Sequence, residues 1–367
     1  MKTTDKIYIA GHNGMVGSAI TRKLISQGYN NFVFTPYPEY DLTNQSVVAE
    51  FLAKEKPDYV VLAAAKVGGI MANNTLRAQF IYENIMIQSN IIHNSYLNGV
   101  KKLLFLGSSC IYPRSCPQPI KEEYLLTGEL EYTNEPYAIA KIAGIKMCES
   151  YNIQYDTNFI SVMPTNLFGP NDNYDLATSH VLPALIRKIH LGKCLGENNW
   201  TAIRKDLKAR PIDGVDDSAG DDAIFQVLKK HGIELHPDSK GKNVTLTLWG
   251  SGSPFREFLY VDDMADACIY LMQNVSTNDI KSLSQNTGTE NRFLHLNIGT
   301  GKDLRISELA EVIKSIIGFT GEIAWDSSKP DGTARKLLDV SRINSLGWKE
   351  SIDLEEGIKM VYSNYIQ

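Results

Sequence analysis

Seven residues near the start of the chain constrain its fold more than any others. Gly11-His12-Asn13-Gly14-Met15-Val16-Gly17 follows a short apolar run directly and opens a helical pattern. At such a strand–turn–helix junction the first glycine permits a tight turn. The second lets backbone approach a bound pyrophosphate, and the third lets the helix pack close to the strand. Free N–H groups at the start of the helix then face the phosphates. The spacing is G-x-x-G-x-x-G, and glycines also serve plain turns. The strand before the loop and the helix after it are what make the pattern specific.

The rest of the first 165 residues keeps the same rhythm. Lys6–Ala10, Asn31–Thr35, Tyr59–Ala63, Lys102–Leu106 and Asn158–Val162 read as strands, and Met15–Gln27, Thr75–Tyr96 and Tyr137–Gln154 as helices. Continuously apolar strands alternating with helices predict an α/β fold, a Rossmann-type doubly wound parallel sheet. After Pro164 the pattern is less regular. Val181–His190, Val261–Gln273, Ile306–Ile317 and Leu354–Tyr365 read as helices, and Thr245–Trp249 and Phe293–Ile298 as strands. The expected division is a Rossmann domain at 1–167 and 257–299, with a smaller interleaved α/β substrate domain at 168–256 and 300–367. Residues 197–242 look inserted and are rich in Asp, Lys and Gly, with one amphipathic stretch at Asp222–His231. The plain expectation is a surface excursion with one short helix; the sharper one is a flap over substrate or an oligomer contact.

Composition bounds the partners. The 367 residues carry a net charge of −5, with 43% hydrophobic and 22% charged residues, so no general affinity for nucleic acid follows. No apolar run is long enough to span a membrane. The start, MKTTDKIYIAGH, lacks the apolar region of a secretory signal. Five cysteines without paired metal spacing predict free thiols, no metal site and a reducing cytoplasm.

The chemistry-bearing pattern is Tyr137-Ala138-Ile139-Ala140-Lys141, just after Pro136. Residues four apart share a helix face, so a lysine ammonium stands beside a phenol and favours its phenolate. Such a tyrosine exchanges a proton with a carbonyl oxygen. Ser108, at the end of the fourth strand, is placed to donate a hydrogen bond to the same oxygen. A lone Y-x-x-x-K also arises on ordinary helix surfaces; the glycine loop and the serine-bearing strand distinguish this one.

These residues resemble the extended short-chain dehydrogenase/reductase family. The longer motifs Ala63-Ala64-Ala65-Lys66-Val67-Gly68-Gly69-Ile70, Gly107-Ser108-Ser109-Cys110-Ile111-Tyr112-Pro113 and Asn134–Lys141 narrow the resemblance to the GDP-L-fucose synthases. Val162–Leu167, Trp249-Gly250-Ser251-Gly252 and Lys329-Pro330-Asp331-Gly332 add to it. The resemblance implies epimerisation at C3 and C5 of a GDP-4-keto-6-deoxy-sugar, then reduction of its C4 ketone with NADPH. The catalytic residues would be Ser108, Cys110, Tyr137, Lys141 and His180. Cys110 and His180 would move the C3 and C5 protons, since their reference pKa values, about 8.5 and 6.5, bracket neutrality. Beyond the glycine loop, the cofactor residues would be Tyr37, Asp41 and Leu42, then Ala64 and Lys66, then Leu106 and Gly107. Lys141, Pro164, Thr165, Asn166, Leu167 and His180 complete that set. Lys188, Trp249, Arg256, Asp331 and Lys336 would hold substrate. A homodimer through the long helices of the first domain is also implied.

Two departures concern the cofactor. Asn13 and Tyr37 stand where the family has arginines for the NADP phosphate, so NADP(H) is the expectation and NAD(H) its alternative. Lys188 replaces a family arginine, losing a bidentate fork but keeping the charge. A related GDP-4-keto-heptose reductase with epimerisation reduced or lost is the close alternative. A sugar-nucleotide dehydratase is disfavoured, because Ser109 and Cys110 stand where dehydratases place acids. A non-catalytic dinucleotide sensor is disfavoured by the intact Ser108, Tyr137 and Lys141.

Overall fold

The structure is a computed structural model that describes residues 1–236, 243–285, 292–329 and 331–367. The end of the inserted segment, 237–242, and Pro330 of the late motif lie outside the described residues. The chain divides into two compact units. The first comprises Met1–Asn171, Glu257–Lys302 and Lys336–Asp353; the second comprises Asp172–Arg256, Asp303–Arg335 and Leu354–Gln367.

In chain order the elements begin with β1 (Ile7–Ala10), α1 (Met15–Ser26), β2 (Phe32–Val33), α2 (Gln45–Glu55), β3 (Tyr59–Leu62), α3 (Ile70–Thr75), α4 (Arg77–Leu97) and β4 (Lys102–Leu106). There follow α5 (Glu135–Tyr155), β5 (Phe159–Pro164), β6 (Asn166–Phe168), α6 (Val181–Gly196), α7 (Trp200–Ala209), α8 (Asp221–Lys230), β7 (Ile233–His236), β8 (Asn243–Trp249) and β9 (Phe255–Tyr260). The remainder is α9 (Val261–Asn274), α10 (Thr277–Gln285), β10 (His295–Ile298), β11 (Asp303–Arg305), α11 (Ile306–Ile317), β12 (Glu322–Asp326), β13 (Arg335–Lys336), α12 (Ser341–Ser345) and α13 (Leu354–Ile366).

The first unit is built on a six-stranded sheet of order β10-β5-β4-β3-β1-β2, with every pairing parallel. The strands are buried on both faces because alternate residues feed two cores. Ile7, Ile9, Leu104 and Ile160 pack with Ile20 and Leu24 of α1 and with Met264 and Cys268 of α9. Tyr8, Leu62, Phe105 and Phe159 pack with Leu52, Ile91 and Ile145 of α2, α4 and α5. β1 lies between β2 and β3, so the order of strands reverses there, and the carboxyl end of β1 is where a doubly wound sheet opens a ligand crevice.

Several boundaries differ from expectation. The second strand is only Phe32–Val33; beyond it Pro36 and Pro38 cannot donate to a ladder. The helix expected at Thr75–Tyr96 starts earlier and breaks at Leu76 into α3 and α4. The α5 helix begins at Glu135 and takes Pro136 into its first turn, where no N–H is needed. Residues 336–353 group with the first unit rather than with the smaller one. Leu338 N–H donates to the buried Glu257 carboxylate at 3.0 Å, and Ile120 bridges Leu338 in parallel.

The second unit contains a three-stranded sheet, β12-β8-β7, with β12 parallel and β7 antiparallel to β8. The inserted segment is not a surface excursion with one helix. It forms α7, α8 and β7, and it buries Ile203, Leu207, Ile224, Leu228 and Ile233. Each of its helices presents one apolar stripe inward, which is how a charged segment joins a core.

Candidate active site

The glycine loop has the geometry its spacing predicts. Gly11 adopts φ +84°, and a Cβ there would lie 2.7 Å from the Ala64 backbone nitrogen. A Cβ on Gly17 would lie 2.1 Å from the Gly11 carbonyl oxygen. Only glycine allows β1, β3 and α1 to approach this closely. Gly14 is the N-cap of α1 and no side chain caps that helix, so its first N–H groups are available to an anion. This cradle fits a dinucleotide pyrophosphate.

Around the loop, His12 stacks on Phe34 with ring centroids 4.4 Å apart. Asn13 is exposed, and Tyr37 is 81% exposed. Asp41 accepts from the Thr43 N–H and hydroxyl at 2.9 and 2.7 Å, closing its own turn, while Leu42 packs against the core. The Lys66 backbone is clamped at both ends by the buried Asn84 amide, at 2.9 and 3.0 Å. Asn84 was not legible as a site residue; one asparagine inside a long helix carries no signal of its own.

Ser108 continues β4 and caps a short 3-10 turn, Ser109–Ile111. Its hydroxyl accepts from the Cys110 N–H at 3.3 Å, so one turn presents both the hydroxyl and the thiol. Cys110 is buried, and burial pushes its thiol up, while Lys336 and Ser108 partly oppose this. The thiol is therefore the resting form, not one poised near neutrality.

Tyr137 lies in the first turn of α5, edge-on to Phe80, with the Lys141 ammonium 5.6 Å from its ring centroid. The expected lowering of its pKa is not found. Burial pushes the Tyr137 phenol well up, and the neighbouring Cys110 adds to this. Burial also lowers Lys141 to about 8. The ammonium donates to the Leu106 carbonyl at 2.7 Å rather than to the phenol. The arrangement suits a tyrosine that donates a proton. The α5 helix reaches β4 this closely because Gly144 leaves room; a Cβ there would sit 2.5 Å from Phe105 Cζ.

Past Pro164, the last residue of β5, the Thr165 hydroxyl and Asn166 amide donate to the Glu257 carbonyl at 3.2 and 2.8 Å, and Leu167 packs on the core. The fully buried Glu257 carboxylate gathers the N–H groups of Thr300 and Gly301 as well as Leu338. Lys336 is half-buried near Cys110 and Cys116. The first unit thus brings together the glycine loop, Ala64, Lys66, Leu106, Gly107, Ser108, Cys110, Tyr137, Lys141 and Lys336.

The other expected residues belong to the second unit. His180 is the exposed N-cap of α6. Lys188 lies two turns along that helix, and burial lowers its ammonium to about 8. Trp249 ends β8, is 71% exposed, and has the Lys329 ammonium 5.6 Å over its ring. Asp331 accepts from the Ser251 N–H and hydroxyl at 2.9 and 2.6 Å, and these bonds hold its carboxyl below the usual range. Arg256 donates to the Phe255 and Thr333 carbonyls at 2.7 and 2.6 Å. Among the described residues no cluster of side chains could hold a metal ion, no helix is long and apolar enough to cross a membrane, and all five cysteines are free.

The sequence matches the NAD dependent epimerase/dehydratase family over residues 7–231 and 234–284. It is 48% identical over 362 residues to GDP-L-fucose synthase 1 of Arabidopsis thaliana, covering 99% of this chain and 93% of that one. Two solved structures from Campylobacter jejuni are also similar. A GDP-D-glycero-L-gluco-heptose synthase, in the presence of NADPH, is 46% identical with a TM-score of 0.89, covering 100% of both chains. A GDP-mannoheptose C4 reductase with NADP bound is 45% identical with a TM-score of 0.86, again covering 100% of both. The chain belongs to the NAD dependent epimerase/dehydratase family, on the branch of the GDP-L-fucose synthases.

Proposed function

We propose that this protein is an NADPH-dependent C4 ketoreductase and C3/C5 epimerase of a GDP-linked 4-keto-6-deoxy sugar. The observation that carries the reading is the turn after β4, in which the Ser108 hydroxyl accepts from the Cys110 N–H and the Cys110 thiol lies near Tyr137 and Lys141. When bound, the reduced nicotinamide supplies the hydride. Tyr137, kept protonated by burial, gives its proton to the C4 oxygen, and Ser108 donates a hydrogen bond to that oxygen. Lys141 holds positive charge near both and is assigned to the cofactor ribose. The C4 ketone acidifies the C3 and C5 protons, and Cys110 and His180 remove and return them. Lys188, Arg256 and Lys336 supply the positive charge a GDP diphosphate needs, with Trp249 packing on the ligand and Asp331 accepting from it.

The cofactor is assigned as NADP(H), as named for both Campylobacter jejuni relatives. No arginine stands at Asn13 or Tyr37, so its preference over NAD(H) is expected to be small. Exposed Tyr82, Leu97, Ile139, Ile153 and Tyr155 on α4 and α5 support a homodimer through those helices, and the free thiols support a cytoplasmic setting.

A second reading has its own support. Both Campylobacter jejuni relatives are named for GDP-heptoses, and a thiol pushed up by burial is a poor base. On that reading the protein reduces a GDP-4-keto-heptose and epimerises little. Turnover with NADPH and each sugar in turn tests both. Oxidation of NADPH by the 6-deoxy-hexose supports the first, oxidation by the heptose alone supports the second, and oxidation by neither refutes both.

A further inference from the structure

Among the described residues, Arg187 is the largest fully buried side chain. A guanidinium persists in such a place only where its charge and donors are answered. Its Nε and Nη2 donate to Asp206 Oδ2 at 3.0 and 2.9 Å, and Nη2 also donates to the Arg210 carbonyl. Its Nη1 donates to the Tyr174 carbonyl at 3.1 Å. Asp206 stands on α7, within the inserted segment, and its second oxygen accepts from the Tyr365 hydroxyl. The Tyr174 ring is held as well, 4.7 Å from the Tyr365 ring, with the Arg210 guanidinium 5.2 Å over it. All these groups belong to the second unit.

Tyr174 lies on the irregular stretch that ends at His180. Between the two, the chain is bonded to itself. Asp175 accepts from the Ala177 and Thr178 N–H groups and from the Thr178 hydroxyl, and the Ser179 N–H donates to the Asp175 carbonyl. A turn closed on itself moves as one piece, so its anchors decide where it sits. One anchor is α6, which starts beyond His180; the other is the Tyr174 carbonyl. Arg187 sits on α6 two turns after His180 and reaches that carbonyl, so one side chain ties the two ends together.

We infer that the inserted segment braces His180. Asp206 holds the Arg187 guanidinium so that its remaining donor fixes Tyr174 and, through the turn, the imidazole. Arg187 and Asp206 are positioning residues. The catalytic consequence rests on the proposed role of His180 in proton transfer; the brace itself does not.

The test uses the full chain and two variants. Arg187→Met with Asp206→Leu replaces the buried ion pair by apolar residues and releases the Tyr174 carbonyl; the partly exposed Arg210, 3.5 Å from Asp206, then exchanges that carboxylate for water. Tyr365→Phe removes only the hydroxyl that steadies Asp206, and it decides the matter if the double variant does not fold. Amide exchange of residues 173–180 is expected to speed up about tenfold or more in the double variant, and severalfold in Tyr365→Phe, with NADPH affinity within about twofold. The His180 ring resonance, assigned with His180→Asn, is expected to change its titration. Deuterium exchange at substrate C3 and C5, run with NADP⁺ in D₂O, is expected to slow about tenfold. Unchanged amide exchange and an unchanged His180 titration in the folded variants overturn the brace. A parent protein that exchanges no substrate proton refutes the role of His180 instead, and the first two readouts still decide the brace.

Discussion

Gly144→Ala tests whether the close approach of α5 to β4 is what places Lys141. The added methyl would lie 2.5 Å from Phe105 Cζ, 2.8 Å from Phe105 Cε1 and 2.9 Å from Gln88 Cδ. Carbon contacts are most favourable near 3.5–4.0 Å, so relief requires a movement of about 1 Å. Phe105 is fully buried in the sheet core, and Gln88 is tied to the Ala140 carbonyl at 2.5 Å, so neither yields freely. The helix therefore moves, and the Lys141–Leu106 hydrogen bond, 2.7 Å in length, opens toward about 3.7 Å, beyond a hydrogen bond. Overpacking of this kind costs about 1–3 kcal/mol. Misplacement by about 1 Å can cost on the order of 10²-fold in turnover. Urea unfolding should show the stability loss, and steady-state NADPH oxidation should show kcat falling far more than NADPH affinity. A variant with parental kcat would refute the dependence of Lys141 on this packing.

Tyr137→Phe should fold normally and lose about 10²–10⁴-fold in kcat, the usual contribution of one positioned proton donor; parental turnover would remove Tyr137 from the chemistry. Burial lowers Lys141 to about 8, below its unfolded value of about 10.4, so the unfolded chain binds more protons between those pH values and stability rises with pH across that window. Lys141→Met should flatten that rise by up to about 1.4 kcal/mol per pH unit in urea titrations; an unchanged slope would contradict the burial of this ammonium. Asn13→Arg with Tyr37→Arg should raise the ratio of NADPH to NADH affinity about tenfold or more, since an arginine pairs bidentately with a phosphate; an unchanged ratio would place the phosphate site elsewhere.

The doubly wound sheet was legible because it rests on local signals. Residues Ile7–Ala10 and 103–106 are apolar throughout, and the glycines at 11 and 17 each have a steric explanation. The α2 helix was missed, although Asn44 caps it by accepting from Ser46 and Val47, because its apolar stripe is short. The inserted segment was misread for a related reason. Its charge is conspicuous in the sequence, whereas the burial of Ile203, Leu207 and Leu228 depends on how its elements pack, α7 against α6 and α8 against β7. Within the candidate site, the sequence motifs name the residues that the first unit brings together but not their proton affinities. Tyr137 and Lys141 share a helix face as spacing requires, yet the Leu106 carbonyl competes for the ammonium and burial outweighs its charge. That competition depends on how tightly α5 lies on β4, which no local pattern encodes.

The decisive experiment is turnover of the GDP-4-keto-6-deoxy sugar in D₂O with NADPH deuterated at the transferred position, followed by NMR of the product. Reduction by hydride with Cys110 and His180 exchanging protons predicts deuterium at C3, C4 and C5. Deuterium at C4 alone would leave a ketoreductase without epimerisation, and a sugar recovered with none at C4 would contradict the reductase assigned to Ser108, Tyr137 and Lys141.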